Sequence, residues 1–172
     1  MAKTLLIIGA GAEQIPAYQA ARARGLTVIG SDMNPDAPAF AYADHRLLAS
    51  TRDPAATLAA VQALAKEHRI DGVMTIANDV PYTVAVVAEQ LGLPGISPDA
   101  ARLVANKLLM KEAFHRAGVA CPWFSPVRDA THLAQLISTS DRSRFVIKPV
   151  DGRGARGVLR LDKDSNLDWA FC

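Results

Sequence analysis

Cysteine is scarce in this sequence, and long apolar runs are missing from it. Only Cys121 and Cys172 occur in 172 residues, too few for a disulfide framework, and no Cys/His spacing suits zinc. No apolar stretch nears the ~18–20 residues that cross a bilayer; the longest, 5–8 and 84–88, are strand- and helix-sized. The apolar run after Lys3 is too short for a secretory signal and ends in a glycine turn. Aromatics make up 6% of the chain, and no basic stripe alternates with stacking residues, which argues against nucleic-acid binding. Net charge is only +2. It is unevenly spread, however: residues 1–105 carry 8 Lys and Arg against 10 Asp and Glu, whereas 106–172 carry 11 against 7. A basic second half suits a polyphosphate, or no more than a solvated surface. What is abundant is apolar residues, 50% of the chain, enough for a folded core. A cytoplasmic, metal-poor, membrane-free protein is the expectation.

Strands and helices alternate through the first half. KTLLIIG (3–9) is an apolar run ending in glycine, which reads as a strand buried on both faces. A helix is expected over 15–24, ended by Gly25, then a second buried strand over 26–32 and a loop over 33–43. HRLLAS (45–50) reads as a short strand. Asp53-Pro54 opens a helix running to about His68, with Asp as N-cap and Leu58, Val61, Leu64 and Ala65 on one face. DGVMTIA (71–77) reads as a further buried strand and 80–91 as a helix. This rhythm implies right-handed βαβ crossovers, hence a doubly wound parallel α/β domain over residues 1–94. Beyond Pro94 the rhythm breaks. Helices are expected over 97–104, 106–117 and 130–138, an edge strand over 121–127, and a hairpin of 144–150 with 157–161. A smaller α+β unit over 95–172 follows from that pattern.

Three constellations could carry chemistry. Gly9 and Gly11 follow the first strand and let an anionic ligand approach the amides of the next helix. A dinucleotide fingerprint needs a third glycine where Gln14 stands, although Asp32 lies where a ribose-binding acid would sit. A plain βα turn and an NAD(P) site are therefore alternatives to the favoured reading, a small-metabolite pocket. Open α/β sheets bind ligands at the strands' carboxyl ends, where Glu13, Gln14, Asp32, Asn34, Asn78 and Asp79 should gather. Secondly, FVIKPVDGRGARGV (145–158) delivers Lys148 from a strand into a loop holding Gly152, Gly154 and Gly157, interspersed with Arg153 and Arg156. Glycines permit the left-handed turns that aim amides at phosphate oxygens, and arginines add charged donors. This is no P-loop, because the lysine precedes the glycines. Thirdly, Lys107 and Lys111 share a helix face and repel unless an anion lies between them. A solvated basic face is the plainer alternative.

In order along the chain, GAGAEQ, SDMNPDAPA, TIANDV, ARLVANKLLMKEAFHRAGV and FVIKPVDGRGARGV resemble the ATP-grasp superfamily. Its members include carbamoyl-phosphate synthetase, biotin carboxylase and a phosphoribosylglycinamide formyltransferase. The resemblance implies that 1–94 is the pre-ATP-grasp domain on the substrate side. Lys107 and Lys148 match the lysines that contact ATP phosphates, Lys148 also lying near adenine. Asp151, Gly152, Arg153, Gly154, Ala155, Arg156 and Gly157 match the loop that closes over the β- and γ-phosphates. The implied reaction activates a small carboxylate as an acyl phosphate, which an amine or other nucleophile then opens. The family's magnesium and adenine contacts lie downstream of the glycine loop, beyond Cys172 and a helix expected after Ser165. The chain is therefore expected to be the amino-terminal part of such a ligase, inactive alone, with self-association through its unfinished second unit. A non-catalytic metabolite-binding module stands as the alternative.

Overall fold

Aliphatic strand residues paired in register form the centre of the first unit. In the computed structural model, which describes residues 2–152, 154–165 and 167, β1 (Thr4–Ile8), β2 (Thr27–Asp32), β3 (His45–Leu48) and β4 (Gly72–Met74) are all parallel, in the order β3-β2-β1-β4. Ile8 lies opposite Ser31, and Leu6 lies between Ile29 and Val73. On one face, Ile7 and Val28 meet Tyr18 and Ala21 of α1 (Ile15–Ala23) and Phe40 of a 3-10 turn (Pro38–Tyr42). On the other, Leu6, Ile8, Ile29 and Leu47 meet Val61 of α2 (Pro54–Leu64) and Val87 of α3 (Pro81–Gln90). With both faces covered, the sheet is doubly wound. Each fully buried aliphatic side chain removes enough apolar surface to contribute roughly 1.5–3 kcal/mol.

The chain divides into two compact units, Met1–Ala105 and Asn106–Cys172. The first includes α4 (Pro98–Ala105), which packs on α3: Ala101 is fully buried, and the Arg102 guanidinium lies 4.6 Å from the Tyr82 ring centre. Within the second, α5 (Lys107–Arg116) precedes α6 (Ala130–Thr139), and β5 (Arg144–Ile147) pairs antiparallel with β6 (Leu159–Asp162). Its small core gathers Leu133, Ile137 and Leu161. Local chemistry starts the helices as expected. Asp53 accepts from the Ala56 amide at 2.9 Å, and Asn106 from those of Leu108 and Leu109 at 3.0 Å.

Four local expectations are corrected. β4 is a three-residue edge strand, half-buried rather than enclosed, because only β1 pairs with it among the described residues. The 33–43 segment is partly ordered as the 3-10 turn that seats Phe40. Residues 121–127 form no strand; Pro122 and Pro126 remove two ladder donors. β5 stops at Ile147, so Lys148 follows the strand, exposed, instead of emerging from buried neighbours. The expected helix after Ser165 falls on residues 166 and 168–172, outside those described, as does Arg153.

Candidate functional site

At the carboxyl edge of the parallel sheet, the loops after β1 and β4 interlock. Gly9 has φ +100°, and a Cβ there would stand 2.7 Å from Asn78 Nδ2, so backbone hand and contact both demand glycine. Gln14 is 5% exposed, and its Nε2 donates to the carbonyls of Ile76 (2.9 Å) and Ala77 (3.0 Å). A Cβ on Gly11 would come within 2.9 Å of Gln14 Oε1. The Gln14 side chain therefore fills the space below the turn where a dinucleotide fingerprint keeps a glycine. Asn78 Oδ1 accepts from the Asp79 amide at 2.9 Å. Asp32 accepts from the Ala10 amide (2.9 Å) and the Asn34 amide (3.0 Å), tying the ends of β1 and β2 together. Asn34 in turn accepts from the Asp36 amide, and Glu13 lies exposed on the 3-10 turn Ala12–Gln14. Below this edge the Tyr18 hydroxyl donates to the Gly9 carbonyl at 2.9 Å. Burial, reinforced by the negative charge of Asp32, holds that phenol well above its ordinary pKa.

Thus Gly9, Gly11, Gln14 and Asn78 come into direct proximity, Asp32 braces the first loop, and Asn34 lies one turn away. Sequence reasoning missed Arg52, whose Nη2 reaches Asp79 at 3.1 and 3.3 Å. The available signal was a cation in the loop after β3, at the same end of the sheet.

In the second unit, Lys107 joins the start of α5 to the glycine loop. Its backbone N–H donates to the Val150 carbonyl at 2.7 Å, and its Nζ to the carbonyls of Asp151 and Gly152, each at 2.9 Å. Gly152, Gly154, Ala155 and Gly157 all take left-handed φ, from +58° to +77°. Nothing stands within 4 Å of a Cβ built on Gly152 or Gly154, whereas one on Gly157 would meet Pro149 Cγ at 2.9 Å. The loop is open at its tip and packed at its base. Lys148 is exposed and makes no hydrogen bond or ion pair with a described residue, and Arg156 is exposed nearby in sequence. Lys111, expected to share an anion with Lys107, turns instead toward the Pro122 carbonyl (3.4 Å) and the Phe124 ring (5.3 Å). An ammonium engaged by no described residue, next in sequence to an open left-handed loop, fits a phosphate chain. Among the described residues no group of three or more His, Cys, Asp or Glu could hold a metal ion, and no helix is long and apolar enough to cross a membrane.

Comparison with known proteins bears on the fold. Residues 18–95 match the family model of the ATP-grasp N-terminal domain. The chain is 32% identical over 183 aligned residues to carnosine synthase 1 of Homo sapiens, covering 95% of this chain and 21% of that protein. It superposes on the L-amino acid ligase of Bacillus licheniformis with TM-score 0.70 and 25% identity, over 94% of this chain and 39% of the ligase. The ADP complex of purK, an N5-carboxyaminoimidazole ribonucleotide synthetase, shares the fold at TM-score 0.76 and 23% identity, over 98% of this chain and 43% of that one. The chain spans about a fifth of the length of the curated relatives it matches. Residues 18–95 thus match the ATP-grasp N-terminal domain, and the chain shares its fold with the solved ATP-grasp ligases it superposes on.

Proposed function

We propose that this chain is the amino-terminal portion of an ATP-dependent, carboxylate-activating ligase acting in the cytoplasm. In that reaction a carboxylate oxygen attacks the γ-phosphorus of ATP, the bond to ADP breaks, and an amine or other nucleophile then displaces phosphate from the acyl phosphate. The observation that carries this reading is the open, left-handed glycine loop tethered to Lys107, with Lys148 next to it in sequence and engaged by no described residue. Lys107, Lys148 and residues 151–157 take the triphosphate. Gly9, Gly11, Glu13, Asp32, Asn34, Asn78 and Asp79 form the acceptor side, with Gln14 supporting them from below. The synthase and ligase names borne by carnosine synthase 1 and the L-amino acid ligase support a bond-forming reaction. Magnesium normally neutralises charge between the β- and γ-phosphates; no step is assigned to it on these residues.

Phosphate contacts alone give modest affinity, because restraining a flexible ligand offsets much of each charge-assisted bond. Calorimetric titration of the 172-residue chain with MgATP is expected to give a Kd of about 0.1–1 mM, weakened by Lys148→Ala, with no ATP hydrolysis above background. Unchanged affinity in Lys148→Ala overturns the assignment of that lysine. Turnover that disappears in Lys148→Ala overturns the expectation that this stretch is inactive alone. The alternative, a non-catalytic metabolite module, draws on the interlocked carboxyl edge being built within the first unit, and predicts no ATP uptake at all.

A further inference from the structure

Four polar side chains are fully or nearly fully buried among the described residues, Gln14, Ser31, Thr57 and Thr83. Three of them hold two neighbouring loops at the carboxyl edge. Thr57 Oγ1 donates to the Ser50 carbonyl and Thr83 Oγ1 to that of Thr51, both at 2.7 Å, while Gln14 holds the carbonyls of Ile76 and Ala77. Burying a polar group is unfavourable unless it is bonded, and these bonds are made to loops rather than to neighbouring core groups. Loops fixed in this way keep a ligand-facing side chain in place before the ligand arrives. The side chain presented by the 49–53 loop is Arg52, 77% exposed.

Arg52 is only half engaged. A single nitrogen, Nη2, spans both oxygens of Asp79, and the donors on Nη1 and Nε have no partner among the described residues. Next to Asp79, Asn78 uses its Oδ1 locally, while its Nδ2 lies against Gly9 and donates to no described residue. A guanidinium carries five N–H donors and no acceptor, and its planar fork suits carboxylate and phosphate. Asp79 therefore orients the arginine while leaving most of its donors available at the end of the sheet where open α/β folds take ligands.

We infer that Arg52, with the Asn78 side-chain amide, is the oxyanion anchor of the acceptor site. It grips a carboxylate or phosphate group of a small metabolite, and Asp79 acts as its positioning partner. This rests on reading the carboxyl edge as the acceptor side, and it adds a residue and a ligand chemistry to that reading.

The arginine Nε–H signals of the 172-residue chain provide the test. They are followed by NMR during titration with inorganic phosphate in one arm and succinate in the other, each to about 50 mM. The expected result is a saturable shift of the Arg52 signal. Arg52→Ala, followed through the Asn78 side-chain amide, should bind about tenfold more weakly, and Arg52→Lys should fall in between. Asp79→Asn, which loosens the hold on Nη2, should bind more weakly than the unaltered chain but by less than Arg52→Ala. Tighter binding of phosphate assigns a phosphorylated metabolite, and tighter binding of succinate a carboxylate. An unshifted Arg52 signal in both arms overturns the inference, as does an Arg52→Ala chain that binds with unchanged affinity. A chain that takes up MgATP through Lys148 but shows no Arg52 response keeps the ligase reading and loses this one. An Arg52 response without ATP uptake does the reverse.

Discussion

Gln14 holds the carbonyl of Ala77 at 3.0 Å, and Ala77 is one of two non-glycine residues with positive φ among those described, at +45°. A left-handed alanine costs about 1–2 kcal/mol, so the conformation persists because a buried amide secures it on one side. Gln14→Leu is expected to destabilise the protein by about 1–3 kcal/mol, having left two inward carbonyls without donors. In that background Ala77→Gly should recover part of the loss. Urea denaturation of the two variants measures both effects, and equal midpoints for Gln14→Leu and the unaltered chain would refute the clamp.

Tyr18 makes stability sensitive to alkali. Its phenol is held above the ordinary value of 10.0 by burial and by Asp32. The folded state therefore binds this proton more tightly than the unfolded chain does, and the associated stability is complete below pH ~10 and is lost as pH climbs beyond it. Thermal melts between pH 8 and about 11 should show a decline in Tm above the unfolded-state value that Tyr18→Phe flattens. The Phe variant should be less stable at pH 7 by about 1 kcal/mol, from the lost bond to Gly9.

Among the described residues, Ser31 is the fourth buried polar side chain, and its Oγ finds no partner there. It lies in register with Ile8 and Leu47, both part of the core on the α2–α3 side of the sheet. A hydroxyl without a partner in such surroundings is a liability of roughly 1–3 kcal/mol. Ser31→Ala should raise Tm or leave it unchanged, whereas most buried substitutions lower it. A clear fall in Tm would mean that the hydroxyl is satisfied in solution, for instance by a buried water.

Where the first unit ends can be tested with fragments. Residues 1–94 contain every strand of the parallel sheet, but α4 covers α3 through buried Ala101 and the Arg102–Tyr82 contact. A fragment of residues 1–105 should therefore melt cooperatively and at a higher temperature than one of residues 1–94. Identical melting curves would show that α4 adds nothing.

The parts of this fold that could be read from sequence are those set by neighbours in sequence. The buried run of β1 declares itself by its aliphatic composition, and α2 by Asp53 at its start. Strand ends and edges depend on partners elsewhere. Nothing local announces that β4 has three residues, or that β5 stops before Lys148. The same limit applies at the site. Gly9, Gly11, Asp32 and Asn78 could be gathered from topology alone, since parallel strands deliver their following loops to one edge. That the amide of Gln14 would reach a carbonyl 62 residues away, or that Arg52 would meet Asp79, required side-chain positions that no spacing rule supplies.

Lys107 has three ammonium protons, and two of them are given to the Asp151 and Gly152 carbonyls. One proton is left for an anion. An anion that draws the ammonium away from the loop weakens those two bonds, however, and a loop that tightens on it holds the ammonium back from the anion. Loop and anion are competitors for one cation. By linkage, the free energy with which either weakens the other is the same in both directions. A substitution that stiffens the 151–157 segment onto Lys107 would therefore lower anion affinity by holding this cation back.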